Sequence, residues 1–171
     1  MSIRGGKKMK RLTDEEFDIL INKYYNMLFV IAYKYTRDTF NSEDAVQDTF
    51  LKLYRAHKGF ESEEHIKNWL IRVTINECIN IVKKNRKILL IDQEYINNLP
   101  DTSDADEKNE EIWHYVCKLK EDYKTIIILY YYENYSLKEI AFILKITETN
   151  AASRLDRARK KLKQIVNGGK K

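Results

Sequence analysis

Residues 135–162 read YSLKEIAFILKITETNAASRLDRARKKL, and the alternation of charge and apolar character in this stretch decides the fold. Ser136 and Glu139 have the spacing of a capping box, in which each side chain accepts the other residue's free backbone N–H. Tyr135 and Ile140 supply the accompanying hydrophobic staple. The spacing predicts a helix over 136–144 with Leu137, Ile140, Ala141 and Leu144 inward. After Lys145, Ile146 and Thr147 it predicts a second helix over 148–165, capped by Thr147, with Ile146 plugging the corner. In that second helix Ala151, Leu155, Ala158 and Leu162 recur at steps of four, three and four, and Asn150, Ser153, Arg154, Arg157 and Lys161 share the opposite face. Two short helices across a three-residue turn, with small Ala141 at their crossing, describe a helix-turn-helix whose second helix enters the DNA major groove. Arginine can fork onto guanine and asparagine onto adenine, while serine, lysine and the helix N-terminus suit phosphate. Charge-rich helices are more often plain solvated faces, so the rest of the chain must decide.

The 171 residues suffice for one domain or two small ones, and 43% apolar with 33% charged residues describes folded, soluble material. The formal charge of +5 is modest, but its distribution is uneven. Residues 154–171 carry eight Lys/Arg against the single acid Asp156, KKNRK at 83–87 is a second basic knot, and residues 92–111 hold eight acids and one Lys. Two basic modules flanking an acidic strip suggest a polyanion partner reached at two places. Cys78 and Cys117 match no metal or redox spacing and are read as small buried apolar residues. His57, His65 and His114 lack ligand spacing or a nucleophile partner, and no glycine-rich phosphate loop occurs. No cofactor, metal or catalytic site of its own is therefore expected. The basic start runs into TDEEFD without an apolar signal segment, and MLFVIA and IIILYYY are far too short to span a bilayer, so a cytoplasmic protein without membrane insertion is expected.

Helix breakers are confined to the ends apart from Gly59 and Pro100, which predicts an all-α protein. Thr13 and Glu16 form a capping box, with Leu12 and Phe17 as staple, for a first helix carrying Leu20, Ile21, Tyr24, Leu28, Ile31 and Tyr35 at helical spacing. A second helix is expected from near Ser42 to about His57 with Val46, Phe50 and Leu53 inward, and a third from about Glu64 to Lys87. INNLPDTSDADEKNEE has the composition of a solvated tether. Further helices are expected over 109–119 and 122–133, with IIILYYY forming an aromatic core. The expected organisation is a domain over 12–88, an acidic flexible linker over 89–108, and a helix-turn-helix domain over 109–167.

The stretch 135–162 resembles the −35-reading domain of sigma factors, the extracytoplasmic-function (ECF) group in particular, which carries a run of the form YSxxEIAxxLxIxxxxxxSRLxRARKKL. SEDAVQDTFLKLYR at 42–55 is similar to the family's polymerase-binding helix. HIKNWLIRVTINECINIVKKNRK at 65–87 resembles its −10-reading helix. The resemblance implies that Asp44, Gln47, Asp48 and Leu51 meet the coiled coil of the largest core RNA polymerase subunit, with a further contact to the flap. It also makes the loop His57 to His65 a pocket for a flipped −10 base, with Lys58, Phe60 and Glu61 as candidates. Along the third helix Trp69, Arg72, Asn76, Asn80, Lys83 and Lys87 fall on one stripe, where an aromatic, amides and cations suit single-stranded DNA. Asn76 holds the family's asparagine position, whereas Trp69 reads equally as core or as DNA-facing. Three residues depart from the pattern: Lys145 where a turn glycine or asparagine is usual, Ala152 at a common basic contact, and Asp156 beside the DNA-facing side. Members of this group are commonly held inactive by an anti-sigma factor.

The implied function is that of an ECF sigma factor, a partner of core RNA polymerase and promoter DNA that is not itself an enzyme. One rival is a homodimeric helix-turn-helix repressor or activator, which would use residues 42–87 for ligand binding or dimerisation. Another is a helical interaction protein whose basic tail only solubilises it.

Overall fold

A computed structural model describes residues 13–56, 60–91 and 107–168, with side chains except at 86–91 and 107–111. The fold is all-helical: α1 (Asp14–Thr36), α2 (Thr39–Arg55), α3 (Glu63–Ile91), α4 (Glu107–Cys117), α5 (Glu121–Ile127) continuing as a π-helical turn (Ile128–Tyr132), α6 (Leu137–Leu144) and α7 (Glu148–Gly168). No strand occurs among the described residues. The chain divides into two compact units, Met1–Val82 and Lys83–Lys171.

In the first unit the expected capping box forms. The Glu16 N–H donates to Thr13 Oγ1 at 3.2 Å and the Thr13 N–H to Glu16 Oε2 at 2.9 Å. The staple partner Leu12 lies outside the described residues. α1 ends where Arg37 takes a left-handed conformation, φ 52°. Asp38 follows at once as the cap of α2, its Oδ1 accepting from the Asn41 N–H at 2.7 Å. The helix thus begins three residues before the expected Ser42. Ser42 is buried inside it, its hydroxyl donating to the Asp38 carbonyl at 2.6 Å and lying 2.7 Å from Thr36 Oγ1.

The core of this unit is the apolar stripe of each helix: Leu20, Tyr24, Leu28, Ile31 and Tyr35 of α1, Val46, Phe50 and Leu53 of α2, and Leu70, Ile71, Ile75 and Cys78 of α3. Truncating one such buried leucine or isoleucine to alanine costs about 2–5 kcal/mol. Two buried hydroxyls meet inside this core, Thr49 Oγ1 and Thr74 Oγ1 at 3.1 Å, and Thr49 Oγ1 also donates to the Ala45 carbonyl at 2.8 Å. At the rim, Glu63 in the first turn of α3 accepts from Lys23 and from the Tyr24 hydroxyl, and Lys52 of α2 pairs with Glu77 of α3.

The second unit buries Trp113, Val116, Leu119, Ile126 to Leu129, Ile140, Ala141, Ile143, Ala151, Leu155 and Ala158. The expected aromatic core is here divided. The aliphatic half of IIILYYY is buried, whereas Tyr130 and Tyr132 are half-buried and Tyr131 is exposed. The π turn, closed by a bond from the Glu133 N–H to the Ile128 carbonyl at 3.0 Å, advances the phase of the tyrosines and turns Tyr131 outward. Cys78 is buried as expected, but Cys117, the last residue of α4, is only half-buried. The helix of α3 continues to Ile91 and α4 starts at Glu107. Residues 92–106, most of the stretch expected to be a linker, lie outside the described residues. Among the described residues no helix is long and apolar enough to cross a membrane.

Candidate nucleic-acid and polymerase interfaces

The helix-turn-helix is built as the spacing required. Ser136 caps α6 with a complete capping box, and α6 stops at Lys145, which takes φ 55° and ψ 47°. The reversed chain lets the Ile146 N–H reach back to the Ala141 carbonyl at 3.0 Å, and half-buried Ile146 closes the corner. Thr147 Oγ1 then accepts from the Asn150 N–H at 3.1 Å, capping the first turn of α7. Lys145 therefore bears the left-handed geometry that glycine adopts at no steric cost.

On α7, Ala151, Leu155 and Ala158 are buried and Leu162 is half-buried, while Asn150, Ser153, Arg157 and Lys161 are exposed on the other side. At about 100° per residue these four and Arg154 span an arc of about 100°. Arg154 differs from the expectation of a wholly outward residue. It is half-buried, and its guanidinium lies 3.9 Å from the carboxylate of Asp122 in the first turn of α5. Arg157 folds back on its own helix, its Nε–H donating to the Ser153 carbonyl at 3.2 Å. Asp156 is exposed and paired with Lys160 at 2.8 Å, one turn on. Its negative charge is thus offset locally, beside the stripe rather than on it. Ala152 is exposed and offers no polar group.

Two participants escaped the sequence reading. The Arg159 guanidinium covers the rings of Tyr130 and Tyr131 at 5.4 and 5.5 Å, and its Nε–H donates to the Tyr131 hydroxyl at 2.7 Å. That hydrogen bond pushes the arginine pKa up. Arg159 lies out of phase with the Asn150–Lys161 stripe, a signal that its charge serves another purpose. Asp122 carried no local signal, since its contact to Arg154 closes across two helices.

On α3, Asn76, Asn80 and Lys83 are exposed, Arg72 and Trp69 are half-buried, and Leu70, Ile71, Thr74, Ile75 and Cys78 face the core. Burial lowers the pKa of Arg72 from its ordinary value. Trp69 is neither wholly core nor wholly outward. Phe60 meets it edge-on at 5.6 Å and meets His65 edge-on at 5.5 Å, so the three rings form one aromatic corner at the start of α3. Glu61 is exposed beside it. Lys58 lies outside the described residues, as does the side chain of Lys87. On α2, Asp44, Gln47 and Leu51 are exposed and Asp48 is half-buried, opposite buried Val46, Phe50 and Leu53.

Comparisons with known proteins match the two halves of the chain separately. The family model Sigma-70 region 2 matches residues 20–88, and Sigma-70, region 4 matches residues 109–162. The ECF RNA polymerase sigma factor SigM of Bacillus subtilis is 30% identical, over 91% of this chain and 96% of that protein. The RNA polymerase sigma factor SigV of the same organism is 28% identical, over 90% and 92%. Among solved structures, the sigma factor RpoE of Bartonella quintana, crystallised with the anti-sigma factor NepR, superposes with a TM-score of 0.66 at 22% identity, over 90% of this chain and 98% of that one. CnrH, in complex with the cytosolic domain of CnrY, superposes with a TM-score of 0.65 at 20% identity, over 91% and 90%, and shares the fold.

Proposed function

Since the chain belongs to the sigma-70 family, in its ECF group, we propose a division of labour among its surfaces as it binds core RNA polymerase and directs promoter-specific initiation. The α7 stripe reads the −35 element: Asn150 and Arg157 reach base edges, while Ser153, Arg154 and Lys161 meet bases or phosphates. The aromatic corner Phe60–Trp69 and the stripe Arg72, Asn76, Asn80 and Lys83 take the −10 element, by stacking, amide hydrogen bonds and charge. Lys58 belongs with them by its place in the chain. Asp44, Gln47, Asp48 and Leu51 on α2 dock on the coiled coil of the largest polymerase subunit, and the second unit contacts the flap. Residues 12–88 and 109–167 serve as the two domains, with 89–108 as their tether. The chain supplies binding and orientation while the polymerase performs the chemistry, which places it in the cytoplasm. An anti-sigma factor is the natural regulator, as NepR accompanies RpoE in their complex.

The observation that carries this reading is the division of α7 into a buried apolar side, Ala151, Leu155 and Ala158, and an exposed side bearing Asn150, Ser153, Arg157 and Lys161, behind a capped three-residue turn. A homodimeric repressor would need the same helix but would leave the match of residues 20–88 to region 2 without a purpose. The test is transcription by core polymerase with and without this protein on a genomic fragment library. New, discrete start sites are expected. The double variant Arg154→Glu, Arg157→Glu should abolish them while still binding core polymerase. Start sites unaffected by that variant would overturn the −35 assignment.

A further inference from the structure

Phe40 is the most exposed large apolar residue among those described, at 76%. It sits in the first turn of α2, just after the Asp38 cap, and makes no ring contact among the described residues. At about 100° per residue, Phe40, Asp44, Gln47, Leu51 and Tyr54 fall within an arc of about 80°, along about 21 Å of helix. Leu51 and Tyr54 are also exposed, at 47% and 43%. Tyr54 is held from beneath, its ring edge-on to Phe17 at 5.1 Å, and Phe17 in turn rests edge-on against buried Phe50 at 6.3 Å. One side of α2 thus presents an aromatic ring at each end, with Asp44, Gln47 and Leu51 between them and Glu43 and Asp48 alongside.

We propose that Phe40 and Tyr54 are aromatic anchors bracketing the polymerase-docking face of α2, and that their partner is the coiled-coil arm of the largest core subunit, met through an apolar seam flanked by cations. This rests on the assignment of α2 as the polymerase-binding helix and extends it by about one turn at each end. The physical reason is a shortage of anchoring surface in the four residues assigned so far. Exposed carboxylates and amides steer and align a partner but contribute little binding on their own. Tight interfaces concentrate affinity in a few aromatic or aliphatic anchors ringed by polar residues. Leu51 is a single such anchor, and Phe40 supplies the large apolar surface that the face otherwise lacks at its N-terminal end. The continuity of Phe40 with Asp44 and Gln47 on one stripe, and the acids beside it, select a cationic helical partner over a purely apolar one.

Equilibrium binding of the full chain to core polymerase tests this, with Phe40→Ala, Phe40→Leu and Asp44→Lys measured side by side and self-association followed by sedimentation. Phe40→Ala should weaken binding about tenfold or more, Phe40→Leu should recover most of it, and Asp44→Lys should weaken it too. If Asp44→Lys weakens binding and Phe40→Ala does not, the anchor is overturned while α2 keeps its role. If neither variant matters, the polymerase assignment of α2 falls as well. If Phe40→Ala alters only self-association, the ring serves a second copy of this chain and the proposal fails.

Discussion

Lys145 spends its backbone in a region that a side chain with a Cβ enters at a cost of about 1–2 kcal/mol. The turn needs it there, because only the reversed chain brings the Ile146 N–H back to the Ala141 carbonyl and sets Thr147 to cap α7. Replacing Lys145 by glycine removes that strain and returns part of the gain as extra freedom of the unfolded chain. Lys145→Gly should therefore stabilise the second unit by about 0.5–1 kcal/mol, read as a raised midpoint in chemical denaturation; a lowered midpoint would mean that the lysine side chain stabilises the turn. The departure at Lys145 was visible in the sequence, since the turn position could be counted between the Ser136–Glu139 capping box of α6 and the Thr147 cap of α7. The Asp122 contact of Arg154 was not, because the two residues meet through the packing of α5 on α7 and lie far apart in sequence.

Helix starts were legible wherever a cap and its partner stood three apart, as at Thr13 with Glu16 and Ser136 with Glu139. At α2 the helix was expected to start near Ser42, and its true cap, Asp38, was hidden behind the left-handed Arg37. The π turn was illegible for a different reason. An unbroken run such as IIILYYY has no period from which a shift of phase could be read, so the outward Tyr131 and its Arg159 partner emerge only in the fold. One link between α1 and α3, at the rim of their apolar packing, is electrostatic. Glu63 accepts from Lys23 and from Tyr24, and these bonds hold its carboxyl below the ordinary 4.5, while burial and the Glu63 bond push the Tyr24 hydroxyl up to about 12. A carboxyl whose folded pKa is depressed contributes stability above its unfolded pKa and loses it as pH falls through the folded value. Acid titration of the wild-type protein should thus show the first unit weakening below about pH 4.5, and Glu63→Gln should flatten that part of the profile. An unchanged acid limb in Glu63→Gln would remove Glu63 from the account of how α3 is anchored.

At the scale of the whole molecule, the surface proposed for the −10 element stands on the first unit except for Lys83, the one proposed for the −35 element stands on the second, and each offers only a handful of cations. Contacts of that kind weaken steeply with salt and by themselves give low affinity. Once α2 is docked on core polymerase, the second contact becomes intramolecular, and joint engagement can exceed either alone by about a hundredfold or more. On the proposed assignment, the exposed Asp44, Gln47 and Leu51 act on promoter affinity without touching DNA, and the chain's modest net charge suits a protein that should not coat nucleic acid when free. The most direct measurement is the affinity of one promoter fragment, taken from a start site this factor specifies, for the free protein and for its complex with core polymerase, at physiological salt. Weak, sequence-indifferent binding by the free protein and tight, sequence-specific binding by the complex are expected; tight, sequence-specific binding by the free protein, or no gain on adding core polymerase, would contradict it.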